Sequence, residues 1–321
     1  MNIVIEKSEL KGEIQVIPSK SYAHRILICS AFASLPTTIY NLPNSQDILA
    51  TKDCLISLGA TFEENGSCCK VIPAKIKESK CTLNVRESGS TLRFFLPIVS
   101  ALGGEYILKG TEKLISRPSL PLLTTLKENG IEYEIGKDFI KISGKLCKGE
   151  FKIDASLSSQ YLTGLMLATP LLNFDSNIKC EKLSSSDYIE ITKDVLNCFG
   201  VQVETANGYV VTGKYSSPKE ITVEGDYSNA LFFAVGGLLN GDITIKGLNK
   251  NTKQGDKKAF DVLKKFGAKV CEDNGFRFTK SNLIGTTFFA DDIPDAMPAL
   301  SLVMASAENS SCANGVERLK I

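Results

Sequence analysis

Tryptophan is absent from these 321 residues, histidine occurs once (His24), and only six of the 37 basic residues are arginine. With one imidazole no multi-histidine metal site can form, and a Ser-His-Asp set would have to use that single ring. Neither sign of charge is in excess: Lys+Arg 37 against Asp+Glu 36 leaves a net charge of +1. That removes the bulk electrostatic footprint of a nucleic-acid binder, so any bound anion must be held locally. No apolar run reaches the roughly 18 residues of a membrane span. The N-terminal residues alternate like a strand and lack a signal-peptide pattern, so a cytoplasmic protein with no membrane partner is expected. Ten cysteines are scattered without a CxxC spacing, which predicts free, mostly buried thiols in place of a disulfide framework. A chain 43% apolar is not disordered, and its length predicts two domains.

What is present is a repeat. Four segments, Leu55 to Glu63, Leu126 to Glu134, Leu196 to Glu204 and Leu263 to Cys271, share one pattern whose glycines (Gly59, Gly130, Gly200, Gly267) lie 71, 70 and 67 residues apart. Each reads as an amphipathic helix stopped by a glycine in the left-handed conformation, then a strand, a turn and a return strand. Three of the four turns carry the Asn-Gly hairpin signal, at Asn65-Gly66, Asn207-Gly208 and Asn274-Gly275. At the same period a Ser-, Gly- or Asp-rich turn opens a strongly apolar helix, starting near residues 20, 90, 160, 228 and 295. After each of the first four helices a strand is predicted, at Thr38–Leu42, Tyr106–Lys109, Ile178–Glu181 and Ile243–Lys246. The unit of about 70 residues is complete four times, and a fifth copy begins at Asp292. Residues 2–17 read as a lone hairpin. The fifth unit lacks its second helix and hairpin, so the chain reads as truncated at its C-terminus.

Free backbone N–H groups at a helix start favour anions, and Ser, Gly and Arg strengthen such a site with hydroxyl donors, close approach and a bidentate fork. Lys20, Ser21 and Arg25 stand together at one start; Gly89 is flanked by Ser90 and Arg93 at the next; Arg117 precedes Pro118 at another. Taken singly, each serine or aspartate is an ordinary N-cap. Recurrence argues for more, because the same turn in successive units points several helix starts the same way.

Six motifs then fall in order and spacing: Pro18 to Arg25, Glu87 to Arg93, Ser116-Arg117-Pro118, Ala155 to Thr163, Val223 to Asp226 with Gln254-Gly255-Asp256, and Ile293 to Ala296. Over the whole chain the sequence resembles the 3-phosphoshikimate 1-carboxyvinyltransferase (5-enolpyruvylshikimate-3-phosphate synthase) family of enolpyruvyl transferases. The resemblance implies an α/β fold, a two-lobed inverse α/β barrel of repeated βαβαββ units, here with the last units incomplete, and a monomer. It implies transfer of the enolpyruvyl group from phosphoenolpyruvate to the 5-hydroxyl of shikimate 3-phosphate, without cofactor or metal, towards chorismate and the aromatic amino acids. By position, Lys20 would contact both substrates; Ser21, Arg25, Ser158, Ser159, Gln160, Ser185 and Tyr188 would hold shikimate 3-phosphate. Gly89, Arg117 and Gln160 would meet phosphoenolpyruvate, and Asp295 would be the base at the 5-hydroxyl. Gly89 also matches the position that governs glyphosate sensitivity in the family.

Departures from the pattern matter equally. Glu87 and Ser90 replace the outer residues of the family's Asn-Ala/Ser-Gly-Thr turn, and the sequence reaches Ile321 where the family continues with a Lys-Glu-Ser-Asp-Arg segment. The chain as given is therefore expected to be inactive or impaired. Two other readings compete: a non-catalytic fragment that binds shikimate 3-phosphate, and UDP-N-acetylglucosamine 1-carboxyvinyltransferase. The second uses a reactive cysteine in its second unit, and no cysteine lies between Cys81 and Cys147. One lobe is expected over residues 13–225 with three complete units, the other over 1–12 and 226–321.

Overall fold

The computed structural model describes residues 3–4, 8–66, 68–75, 80–316 and 319. The chain divides into a contiguous unit, Pro18–Val223, and a split unit, Met1–Ile17 with Glu224–Ile321. Strand β1 (Leu10–Gln15) belongs to the split unit. The contiguous unit then runs α1 (Lys20–Ala31), β2 (Thr37–Tyr40), α2 (Gln46–Ser57), β3 (Thr61–Asn65), β4 (Cys68–Ile72) and β5 (Lys80–Arg86). It continues with α3 (Gly89–Leu102), β6 (Gly104–Gly110), the single turn α4 (Glu112–Ile115), α5 (Leu120–Glu128), β7 (Ile131–Ile135), β8 (Phe139–Gly144) and β9 (Glu150–Ala155). Last come α6 (Gln160–Ala168), β10 (Ser176–Leu183), α7 (Asp187–Cys198), β11 (Gln202–Thr205), β12 (Tyr209–Thr212) and β13 (Glu220–Thr222). The split unit resumes with α8 (Tyr227–Asn240), β14 (Gly241–Lys246), α9 (Lys258–Lys265), β15 (Lys269–Cys271), β16 (Phe276–Thr279), β17 (Thr287–Phe289), α10 (Met297–Ser306) and β18 (Cys312–Asn314).

The repeat is visible in the sheets. Orders β5-β6-β8-β7, β9-β10-β12-β11, β13-β2-β4-β3 and β1-β14-β16-β15 are one arrangement: two parallel strands, then an antiparallel hairpin. The expected βαβαββ unit is thus present four times. Among the described residues the fifth copy contributes only the parallel pair β17-β18. Gly59, Gly130, Gly200 and Gly267 have φ of +98°, +96°, +78° and +88°, the left-handed stop that their spacing predicts.

Three expectations change. Strand β1 pairs with β14 from Leu10↔Gly241 to Gln15↔Lys246, so residues 13–17 go with the split unit, and an expected boundary at residue 13 would cut a strand. Its partner lies far along the chain, which local patterning cannot reveal. Of the hairpin expected over 2–17 the described residues show only β1: Ile3 and Val4 lie outside any strand, and 1–2 and 5–7 lie outside the described residues. The ten cysteines are free as expected, but only Cys29, Cys54 and Cys69 are buried. The rest are partly or fully exposed.

Each unit has its own apolar core. In the contiguous unit α3 is buried from Thr91 to Ala101 except at Arg93. Pro97 inside this helix has no N–H to give the Arg93 carbonyl. Gly164 of α6 lies against that freed carbonyl: a Cβ there would stand 2.5 Å from the Arg93 oxygen and 2.9 Å from Pro97 Cγ. The glycine therefore lets α6 approach α3 backbone to backbone, which fixes the start of α6 beside the start of α3. No helix among the described residues is long and apolar enough to cross a membrane.

Candidate anion-binding site

The starts of four helices in the contiguous unit are tied to one another. Lys20, the first residue of α1, places Nζ 2.9 Å from Asp47 Oδ2 in the first turn of α2. Thr91 Oγ1, in the first turn of α3, reaches the Asp47 carbonyl at 3.4 Å. Ser90 Oγ accepts a hydrogen bond from Nε2 of Gln160, the first residue of α6, at 2.9 Å. Each such start carries a partial positive charge and unsatisfied N–H groups. Serine caps only some of them: Ser45 and Ser88 accept from Ile48 and Thr91, whereas Ser19 and Ser159 make no cap bond. The Ser19 hydroxyl is buried and has no partner.

Gly89 opens α3, and a Cβ added to it would lie 3.1 Å from Arg93 Nη1 and 3.7 Å from Arg117 Nη1. Two guanidinium groups thus converge over a residue without a side chain. Arg93 Nη1 donates to Gln160 Oε1 at 2.6 Å and Nη2 to the Pro118 carbonyl at 3.3 Å. Its guanidinium lies over the Tyr161 ring, 5.8 Å from the centroid. Burial lowers the Arg93 pKa; Tyr161 opposes this and the nearby Arg117 adds to it. The bonds of Arg93 go to neutral groups, so an anion entering here meets positive charge that is not already compensated.

Arg25 is placed differently from a surface clamp. It is 3% exposed, and burial lowers its pKa to about 10, which leaves it charged at neutral pH. Nε donates to Thr192 Oγ1 at 2.8 Å, Nη1 to the Ser21 carbonyl at 2.7 Å, and Nη2 to Thr163 Oγ1 and the Tyr188 carbonyl at 3.3 and 3.1 Å. Most of its five N–H groups are thereby spent on the protein. In this structure Arg25 anchors α1 to α6 and α7, holding Ser21 and Tyr188 in place. Ser185, just ahead of α7, is buried and holds a left-handed φ of +51°, uncommon for a residue with a side chain. Ser158 Oγ accepts from the Gln160 backbone N–H at 3.3 Å.

Lys20, Ser21, Arg25, Gly89, Arg117, Ser158, Ser159, Gln160, Ser185 and Tyr188 all stand in the contiguous unit. Asp295 stands in the split unit, exposed, in a 3-10 turn (Pro294–Ala296) ahead of α10. Sequence reading set Arg93 beside the site without including it; its spacing of four from Gly89 places it on the same helix face one turn on. Thr163 closes one of the six motifs but was given no role there, and nothing in the local sequence marks Asp47 or Thr192.

A model of the EPSP synthase (3-phosphoshikimate 1-carboxyvinyltransferase) family matches residues 4–321. A 3-phosphoshikimate 1-carboxyvinyltransferase of Brachyspira hyodysenteriae is 36% identical over 329 residues, covering 100% of this chain and 78% of its own length. Another, from Methanococcus vannielii, is 35% identical over 337 residues, with 100% and 79% covered. Among solved structures, an EPSP synthase from Acinetobacter baumannii superposes with a TM-score of 0.79 at 21% identity, covering 98% of this chain and 75% of that one. The enolpyruvyl transferase NikO from Streptomyces tendae gives 0.73 at 17% identity, with 94% and 74% covered. These two likenesses speak to the α/β fold. The family match over nearly every residue, with relatives aligned from end to end of this sequence, places the chain in the EPSP synthase family.

Proposed function

We propose that this chain works at the family's reaction, transfer of the enolpyruvyl group of phosphoenolpyruvate to the 5-hydroxyl of shikimate 3-phosphate with release of phosphate. The supporting observation is the convergence of Arg93 and Arg117 over Gly89, beside Gln160 and among helix starts joined by hydrogen bonds. Phosphoenolpyruvate carries a phosphate and a carboxylate, and this arrangement offers two guanidinium forks with a close backbone approach. Lys20, at the start of α1, is the cation we assign to both substrates. Ser21, Ser158, Ser159, Ser185 and Tyr188 supply hydroxyls for shikimate 3-phosphate, and Arg25 keeps Ser21 and Tyr188 in register.

In the reaction a proton is added to C3 of the enolpyruvate while the acceptor oxygen bonds to C2 and loses its own proton. Phosphate then departs as the C2–O bond breaks, and loss of a C3 proton restores the double bond. Positive charge fixed around the donor stabilises the phosphate that departs, and a carboxylate suits removal of the hydroxyl proton. Asp295 is the residue we assign to that proton.

Calorimetric titration followed by a phosphate-release assay tests the reading. Shikimate 3-phosphate is expected to bind and to tighten phosphoenolpyruvate binding, and the turnover of the chain as given, expected to be impaired, should fall at least about a hundredfold further in Asp295→Asn, the scale of lost acid–base assistance. Binding of shikimate 3-phosphate with no coupling to phosphoenolpyruvate would favour a non-catalytic binder.

A further inference from the structure

We propose that His24 is a positioning residue for the Gly89–Ser90 turn, acting through the hydroxyls of Thr51, Thr91 and Ser88, an assignment that rests on reading that turn as the phosphoenolpyruvate site. His24 is 1% exposed on α1. Its Nδ1 lies 2.8 Å from Thr51 Oγ1 on α2, which lies 2.7 Å from Thr91 Oγ1 on α3, which donates to Ser88 Oγ at 2.7 Å. Ser88 Oγ in turn accepts from the Thr91 backbone N–H at 3.2 Å and so caps α3 immediately ahead of Gly89. Three helices are thereby joined by one continuous buried chain of polar groups.

Each threonine hydroxyl has one proton to give. The Thr91 proton is directed to Ser88 Oγ, with the Asp47 carbonyl as a more distant acceptor, and in either case not to Thr51; Thr91 must therefore accept from Thr51, and Thr51 must accept from His24. That requires the proton on Nδ1, leaving Nε2 bare. Nε2 is buried with no partner, and an unused lone pair there is the cheaper orphan, since unpaired buried N–H groups are the rarer kind. Geometry and proton count therefore select the same tautomer. Phe94 packs edge-on to the imidazole with ring centroids 6.2 Å apart and lies under the Arg25 guanidinium, which confines the ring. No part of the relay touches the space over Gly89, so His24 acts only by keeping the turn's backbone in place.

The single histidine makes the test direct. In the full chain labelled with 15N-histidine, a long-range 1H–15N spectrum should show one neutral ring protonated at Nδ1. Thr51→Val keeps the shape but cuts the relay, while Thr51→Ser keeps the hydroxyl. Amide exchange at Thr91 should accelerate about tenfold in Thr51→Val, the effect of a lost cap, with α5 and α8 amides unchanged, and should return in Thr51→Ser. With shikimate 3-phosphate present, the Kd for phosphoenolpyruvate should rise about fivefold in Thr51→Val while that for shikimate 3-phosphate stays within about twofold, the selective loss expected when only one anion turn is displaced. If Thr51→Val does not fold, Ser88→Ala cuts the last link and should give the same local exchange. An Nε2-protonated ring, unchanged Thr91 exchange, or equal weakening of both ligands would overturn the assignment. Local exchange as expected in a chain that binds neither substrate would uphold the relay and overturn the functional reading.

Discussion

Helices α3 and α10 hold the same place in the repeat, one in the contiguous unit and one in the split unit, and they are buried to different extents. From Thr91 to Ala101 every residue of α3 except Arg93 is buried, while α10 leaves Leu302 51% exposed and α8 leaves Phe232 49% exposed. All three helices are strongly apolar. What differs is the number of neighbours: three helices of this kind (α1, α3, α6) share the core of the contiguous unit, whereas the described residues of the split unit provide two. A repeat of this type cannot bury its central helix alone, so burial follows from how many copies stack. The anion-binding turns profit from the same stacking, because Lys20–Asp47 and Ser90–Gln160 are bonds between copies or between their helices.

The sharpest way to break this contrast is at the contact that draws α6 onto α3. Gly164→Leu should destabilise the contiguous unit by about 3 kcal/mol, at the upper end of overpacking costs, and leave the split unit's transition in denaturant unmoved; a shift of both would show that the units do not unfold separately. Nearly as large is the response to acid. Burial lowers the His24 pKa to about 3, against 6.5 in an unfolded chain. Between those values the unfolded state binds the extra proton, so stability is complete above about pH 6.5 and is lost as pH falls. From pH 7 to pH 4 the loss attributable to this ring is about 3 kcal/mol at ~1.4 kcal/mol per pH unit. The split unit has no histidine, and His24→Gln should reduce the acid loss of the contiguous unit alone by that amount, the lowered carboxyls of Glu105 and Asp154 still contributing theirs; parallel curves for wild type and variant would refute this.

Truncations to alanine grade the contrast more finely. Leu96→Ala and Ile98→Ala in α3 should each cost about 2–5 kcal/mol. In α10 Leu300→Ala should cost as much, but Leu302→Ala about 0.5 kcal/mol or less. A costly Leu302→Ala would mean that this side chain is covered in solution. Gly89→Ala should have the smallest effect on stability, within about 0.5 kcal/mol, since only Arg93 Nη1 must give way, by a fraction of an ångström. It should nonetheless weaken phosphoenolpyruvate binding about tenfold, equivalent to ~1.4 kcal/mol, as calorimetry would register.

Much of this architecture was legible because its punctuation is local. A glycine forced to positive φ, an Asn-Gly turn and an apolar run each act within a few residues, so the four hairpins and the central helices could be located from the sequence. The helix-start residues were legible for a related reason: anion chemistry restricts them to few residue types. What stayed hidden depends on partners far along the chain. The pairing of β1 with β14 and the parts played by Thr51 and Thr192 carry no local mark; Ser88, Thr91 and Thr163 fall within the motifs, but their bonds to other helices do not show there, nor does the internal tie that Arg25 makes besides the substrate contact expected of it.

The β1–β14 pairing has a further bearing on how this molecule is made. Strand β1 leaves the ribosome long before β14 and must stay unmatched while roughly 200 residues follow, on the order of tens of seconds at ordinary rates of synthesis. The contiguous unit, whose terminal strand β13 returns to pair with β2 near its beginning, can close on itself during that interval. Biogenesis is thus nested: the inner body matures while the outer one waits for its second half, and a nascent-chain pause before Gly241 would lengthen the exposure of an open strand edge.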